Sequence, residues 1–148
     1  MKKRLKVLSL CTGNSCRSQM AEGWARHLKS DEIVAYSAGI EKHGLNLIAV
    51  KVMAEAGVDI SAHTSKTIDE LPVHHLDYVI TICGHAHESC PLFPDRAEVV
   101  HRSFDDPSKL AADARTEAEA LVHHRRVCDQ TRAFVKGLPD TLKHQSKR

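Results

Sequence analysis

The feature that most constrains this chain is a short apolar run, residues 5–10, that ends in Cys11-Thr12-Gly13-Asn14-Ser15-Cys16-Arg17. A run of that length and character reads as a buried strand, and the polar, glycine-bearing stretch after it as a loop. From residue 17 to 29 the apolar positions Met20, Trp24 and Leu28 recur at fourfold spacing, one face of a helix. A strand that opens through a cysteine loop into a helix is the first half of a βα unit.

The rest of the chain continues the alternation. Residues 33–37 are expected to form a second strand stopped by Ala38-Gly39. Residues 45–56 carry Leu45, Ile48, Val52 and Ala56 on one helical face, with Gly57 closing the helix. A short helix is expected over 65–71, before Pro72. Strands follow at 77–83 and 97–100, the latter closing at Phe104-Asp105-Asp106-Pro107. Residues 108–137 lack proline and interior glycine and are dense in Ala, Glu and Arg, so they predict one long final helix. Residues 142–148 read as a basic polar tail, outside a single domain spanning 1–141. Alternating strands and helices imply an α/β domain whose mostly parallel sheet is covered on both faces. In such sheets ligands bind beyond the carboxyl ends of the strands. Cys11, Cys83 and Asp106 each follow a predicted strand, so topology alone places them at one edge.

Composition narrows the function classes. With 148 residues, 42% hydrophobic and 27% charged, the chain suits one soluble domain. A net charge of +2 argues for neither a nucleic-acid nor a membrane partner. No secretory signal is expected, because the apolar run at 7–10 is too short, and nothing approaches the ~20 residues of a membrane span. Five cysteines fit a disulfide framework poorly. Catalytic or redox-active thiols in the cytoplasm are the expectation.

Residues 11–17 fit the pattern Cys, five residues, Arg, and the chain carries its own control. Cys90-Pro91-Leu92-Phe93-Pro94-Asp95-Arg96 fits the same pattern, but its two prolines remove backbone donors and fix φ, so it cannot wrap an anion. In the first copy, Gly13 and Asn14 tolerate left-handed conformations that turn successive N–H groups inward. Arg17 opens a helix whose N-terminus adds positive potential, and its planar fork suits a tetrahedral oxyanion. Thr12, Gly13, Asn14, Ser15, Cys16, Arg17 and Ser18 are thus the expected oxyanion-binding residues. Such a field favours a thiolate at Cys11, the form that attacks, and Ser18 is placed to donate to it.

Cys11–Ser18 continuing into Gln19-Met20-Ala21-Glu22-Gly23 resembles the thioredoxin-coupled arsenate reductases, which share the low-molecular-weight tyrosine phosphatase fold. Tyr36-Ser37-Ala38-Gly39-Ile40, His43-Gly44-Leu45-Asn46, Asp59-Ile60-Ser61 and Phe104-Asp105-Asp106-Pro107 extend the resemblance in matching order. It implies a four-stranded parallel sheet with flanking helices. It also implies reduction of arsenate to arsenite, with Cys11 as nucleophile and Cys83 and Cys90 as further thiols of a disulfide relay. Arsenate reduction takes two electrons, so a second thiolate must expel arsenite from the Cys11 adduct and a third must carry the disulfide outward. Asp106 matches the family's general acid, with its neighbour Asp105 as the alternative. The reductant implied is thioredoxin, or a glutaredoxin–glutathione system; neither cofactor nor metal is expected, and the chain is expected to be a monomer.

The competing reading of Cys83-Gly84-His85-Ala86-His87-Glu88-Ser89-Cys90 is a metal site, but its spacing does not resemble a zinc knuckle. A low-molecular-weight phosphatase is the alternative enzyme, and an oxyanion-binding thiol sensor the non-enzyme alternative. After Pro107 the phosphatases tend to place an aromatic residue, whereas here Ser108-Lys109-Leu110 follows. Cys16 and Cys128 read as bystanders, and His123-His124-Arg125-Arg126 as a solvated helix face. Some family members hold potassium behind the loop; Asn14, Glu22 and Ser37 match that site, but Lys66 stands where an aspartate would be. Its ammonium is expected to replace the ion.

Overall fold

A computed structural model describes residues 4–73, 75–84, 86 and 97–142 of the protein. Among them the elements run β1 (Leu5–Cys11), α1 (Arg17–Leu28), β2 (Ile33–Gly39), α2 (Leu47–Glu55), a 3₁₀ turn (Ile68–Glu70), β3 (Tyr78–Thr81) and β4 (Glu98–His101). A short helix α3 (Pro107–Leu110), a second 3₁₀ turn (Ala111–Asp113) and a long helix α4 (Glu117–Lys136) complete the chain.

The strands form one parallel sheet in the order β2-β1-β3-β4. β1 pairs with β2 from Leu5↔Ile33 to Cys11↔Gly39, and with β3 from Val7↔Tyr78 to Leu10↔Thr81. Paired on both edges and covered on both faces, its residues 7–11 are all buried, which is why the sequence shows a continuous apolar run rather than an alternation. α1 packs on β1, β2 and α4, and α2 packs on α4. All four strands point their carboxyl ends the same way, so the loops after β1, β3 and β4 gather at one edge, as the alternation implied.

Several boundaries move. β2 runs through Ala38 to Gly39 instead of stopping before them, because Gly39 still pairs with Cys11 and bridges to Thr67. The expected helix over 65–71 is a single 3₁₀ turn. The long helix expected over 108–137 is broken. Asp106 caps α3 by accepting from Ser108 N, with Pro107 at the first helical position. α4 starts afresh at Thr116, whose hydroxyl accepts from Glu119 N at 3.2 Å while the Glu119 carboxylate accepts from Arg115 N at 2.8 Å. The Thr116 cap is written in the sequence as Thr116-x-x-Glu119, a start signal that uniform helix propensity conceals, although Glu119 reaches back to Arg115 N and not to Thr116 N. Leu142, expected in the tail, is fully buried and its N–H donates to Pro139 O, so the packed domain includes it. Residues 143–148 lie outside the described residues.

Candidate active site

The carbonyls of the loop after β1 are all spent on neighbouring residues. Cys11 O accepts from Ile40 N (3.1 Å), Thr12 O from Glu41 N (2.9 Å), Gly13 O from His43 N (2.9 Å) and Ser15 O from Asn46 N (2.9 Å). Gly13 O also accepts from Ser65 Oγ (3.0 Å), and Asn14 O from Gln19 Nε2 (3.2 Å). With every carbonyl from 11 to 15 held outward by residues 19, 40–46 and 65, the peptide planes are fixed. None of the N–H groups of Thr12, Gly13, Asn14 and Ser15 donates to an acceptor among the described residues. Cys16 supplies no side-chain cap to α1, so the donors of that helix's first turn are free as well. Fixed, unspent donors of this kind can hold an oxyanion without reorganising.

Two glycines serve the loop by their size. Asn14 alone takes the left-handed conformation, at φ 49°; Gly13, expected to share it, does not. A Cβ on Gly13 would meet the His43 ring at 2.3 Å. Gly39 is hemmed in by backbone: a Cβ there would stand 2.2 Å from Glu41 O and 2.8 Å from Asn14 N. The sequence marked both glycines without revealing that their neighbours are the walls of the site.

Behind the loop a hydrogen-bond chain leads to Cys11 Sγ. Asn14 Oδ1 accepts from Lys66 N (2.9 Å) and Gln19 Nε2 (3.0 Å), which fixes its amide so that Nδ2 donates to Ser18 Oγ at 2.8 Å. Since Ser18 Oγ accepts there, its own proton is available to Cys11 Sγ, 2.9 Å away. Cys11 is buried to 2% exposure at the floor of a cavity of about 250 Å³, lined also by Gly13, Ser15, Arg17, His43 and Asp106. Arg17 is braced by donating to Phe104 O at 3.2 Å, and its guanidinium lies 3.6 Å from the Asp106 carboxylate. Asp105 faces away, toward Arg126 on α4 at 3.6 Å. The cavity therefore contains Asp106 and not Asp105.

Cys83 lies at the rim. Its Sγ is 3.2 Å from Thr12 Oγ1 and accepts from Ala86 N at 3.4 Å. Cys90 and most of segment 84–90 lie outside the described residues. Cys16 is buried, and burial together with the neighbouring Cys11 pushes its thiol far above the ordinary range, which suits a bystander. Cys128 is buried against Met53, its thiol likewise raised by burial. Cys11, Cys16, Cys83 and Cys128 are all free thiols. Among the described residues no cluster of three or more His, Cys, Asp or Glu forms a metal site.

The place expected to hold Lys66's ammonium against Glu22 is arranged differently. Glu22 is buried, accepting from Ser37 Oγ at 2.6 Å and paired with Arg26 Nε at 2.9 Å. Lys66 Nζ donates instead to Thr64 O at 2.8 Å and makes no ion pair with Glu22 within 4 Å among the described residues. Burial lowers the Lys66 ammonium's pKa, and the field of Glu22 opposes that shift. The direct partner of Glu22 is thus a guanidinium, Lys66 adding its charge from a distance.

Asn46 and Ser108 drew no role from sequence, although Asn46 stood in a quoted motif and Ser108 was noted for not being aromatic. Ser108 lines the cavity, and Asn46 Nδ2 donates to its hydroxyl at 2.9 Å.

The fold that carries this geometry recurs in known proteins. The family described as low molecular weight phosphotyrosine protein phosphatase matches residues 6–147. An arsenate reductase of Bacillus licheniformis is 51% identical over 135 residues, covering 91% of this chain and 95% of that protein. One of Halalkalibacterium halodurans is 49% identical over 137 residues, covering 93% and 96%. Among solved structures, an arsenate reductase in a phosphate-binding state superposes with a TM-score of 0.73 at 32% identity, covering 90% of this chain and 95% of that one.

Proposed function

The chain belongs to the low-molecular-weight phosphotyrosine protein phosphatase family and is one of its arsenate reductases; we propose that it works by a relay of three thiols, Cys11, Cys83 and Cys90. The observation that carries this reading is the position of Cys83, one threonine hydroxyl away from the oxyanion loop. Phosphate-ester hydrolysis gives a second thiol at that rim nothing to do, whereas reduction requires one.

In the proposed sequence, arsenate sits on the inward N–H groups of residues 12–18 and the Arg17 fork. The Cys11 thiolate, with Ser18 Oγ at its side, attacks arsenic. The As–O bond opposite breaks, and its oxygen leaves as water with a proton from Asp106. Cys83 then attacks Cys11 Sγ. The S–As bonding pair goes to arsenic, As(V) becomes As(III), and arsenite leaves a Cys11–Cys83 disulfide. Attack by Cys90 on Cys83 frees Cys11 and leaves Cys83–Cys90 for an external dithiol. Cys83 Sγ lies 3.2 Å from Thr12 Oγ1 and accepts from Ala86 N at 3.4 Å, contacts that hold it at the edge of the loop for this step.

The reductant is a thiol system, of which thioredoxin is the one proposed, with glutaredoxin–glutathione as the alternative. The need for free thiols suits the reducing cytoplasm. No described helix is long and apolar enough to cross a membrane. Weak phosphatase activity is expected alongside, since the same nest fits phosphate. Arsenate-dependent NADPH oxidation, run with each reductant system in turn, tests the proposal. Turnover with thioredoxin and its reductase supports it; arsenate consumption with neither system refutes the relay.

A further inference from the structure

We infer that Asn46 is a positioning residue that latches the acid-bearing segment 106–108 to the oxyanion loop. The inference rests on the reading of Asp106 as the general acid. Four hydrogen bonds tie Asn46 to the loop, to α2 and to Ser108. Its backbone N–H donates to Ser15 O at 2.9 Å, which holds one peptide plane of the nest. Its side-chain Oδ1 accepts from Ile48 N (2.8 Å) and Ala49 N (3.0 Å), which caps α2. These two acceptor contacts leave no freedom in the amide, so Nδ2 must be the atom that faces Ser108 Oγ at 2.9 Å.

Ser108 passes the constraint on. Its backbone N–H donates to Asp106 Oδ1 at 3.1 Å, leaving Oδ2 turned toward Arg17 at 3.6 Å. The Asp106 carboxylate therefore takes its place over the nest from two directions, and one of them runs through Ser108 to Asn46. Without the latch, a four-residue helix and the loop before it would carry the acid. Such short elements hold little stability of their own. Asn46 touches neither arsenate nor the reacting atoms; it acts through Ser108 and Asp106. The charged and titratable groups around Asp106 are Arg17 on α1, Cys11, Cys16 and His43 lining the same cavity, and Asp105 paired with Arg126 on α4.

The test is the single-turnover rate of arsenate-dependent thiol loss in the reduced full-length protein, followed against pH. Asn46→Ser keeps a capping oxygen for α2 but is too short to reach Ser108, and Ser108→Ala removes the acceptor. Asp106→Asn defines the signature of a lost acid, namely a slower step without the fall in rate at high pH that an acid imposes. Asn46→Ser and Ser108→Ala are each expected to slow the step about tenfold and to weaken that alkaline fall, with little change in arsenate KM. The double variant is expected to be no slower than either single variant, and Ser108→Thr to restore the rate. Full rate and an intact alkaline fall in both single variants, while Asp106→Asn loses it, would overturn the latch. Additive effects in the double variant would do the same. An unaltered profile in Asp106→Asn would remove the acid itself, and the latch with it.

Discussion

Thr12 Oγ1 stands 3.2 Å from Cys83 Sγ, joining the loop after β1 to the loop after β3 across the mouth of the oxyanion cavity. Parallel pairing of β1 with β3 puts both loops at the same edge, so the contact follows from the topology. It places the Cys83 thiol against Thr12, the residue after Cys11, outside the residues that line the cavity.

Replacing Thr12 by valine keeps the shape and removes the hydroxyl. Loss of one hydrogen bond to a thiolate should slow formation of the Cys11–Cys83 disulfide about tenfold. Hydrolysis of an aryl phosphate, which needs Cys11 and not Cys83, should change far less. Stopped-flow thiol loss set against phosphatase rate checks this, and equal losses in both would make Thr12 a part of the nest alone.

Behind the loop, Glu22 is already satisfied by Ser37 and Arg26, and Lys66 adds positive charge to the region. Potassium should therefore neither raise the melting temperature nor stimulate turnover relative to sodium at equal ionic strength. Lys66→Asp is the variant expected to gain potassium sensitivity. Melting curves in the two salts decide it; a potassium-specific rise of several degrees in the unaltered protein would show that a cation site survives.

His63 couples this region to pH. Its Nδ1 lies 3.0 Å from Gln19 Oε1, and burial holds its pKa below the ordinary 6.5, against the pull of Glu22. The unfolded chain takes up this proton near pH 6.5 and the folded chain resists it. Stability should thus be unaffected by His63 above that pH and fall as pH drops below it, until the folded value is passed. The slope from this one proton cannot exceed about 1.4 kcal/mol per pH unit. Denaturant midpoints between pH 7.5 and 5, a range of roughly the imidazole window, should decline less steeply in His63→Gln. Parallel curves would mean that His63 protonates equally well in both states.

Much of the site could be read from the chain because its parts are local. The strand, loop and helix around Cys11 follow one another directly; the second Cys-x5-Arg copy, set aside on its two prolines, lies outside the described residues. The split of the last helix was missed because propensity is continuous across residues 108–137 while the break depends on two caps, at Asp106 and Thr116. The clamp on the loop's carbonyls was not readable either, since backbone donors at 40, 41, 43 and 46 carry no side-chain signature. Arg26 lies one helical turn from Glu22, but an i,i+4 charge pair reads as a solvated helix face until the fold buries the carboxylate. Asn46 stood in a recognised motif, yet its link to Ser108 spans 62 positions and appears only when α2 and α3 both pack on α4.

The relay itself is tested most directly by trapping its first disulfide. Reduced Cys90→Ser protein, given one equivalent of arsenate and no reductant, should release one equivalent of arsenite and stop. Peptide mapping by mass spectrometry should then find Cys11 joined to Cys83. Arsenite released with Cys83 still free, or joined to Cys16 or Cys128, would contradict the account.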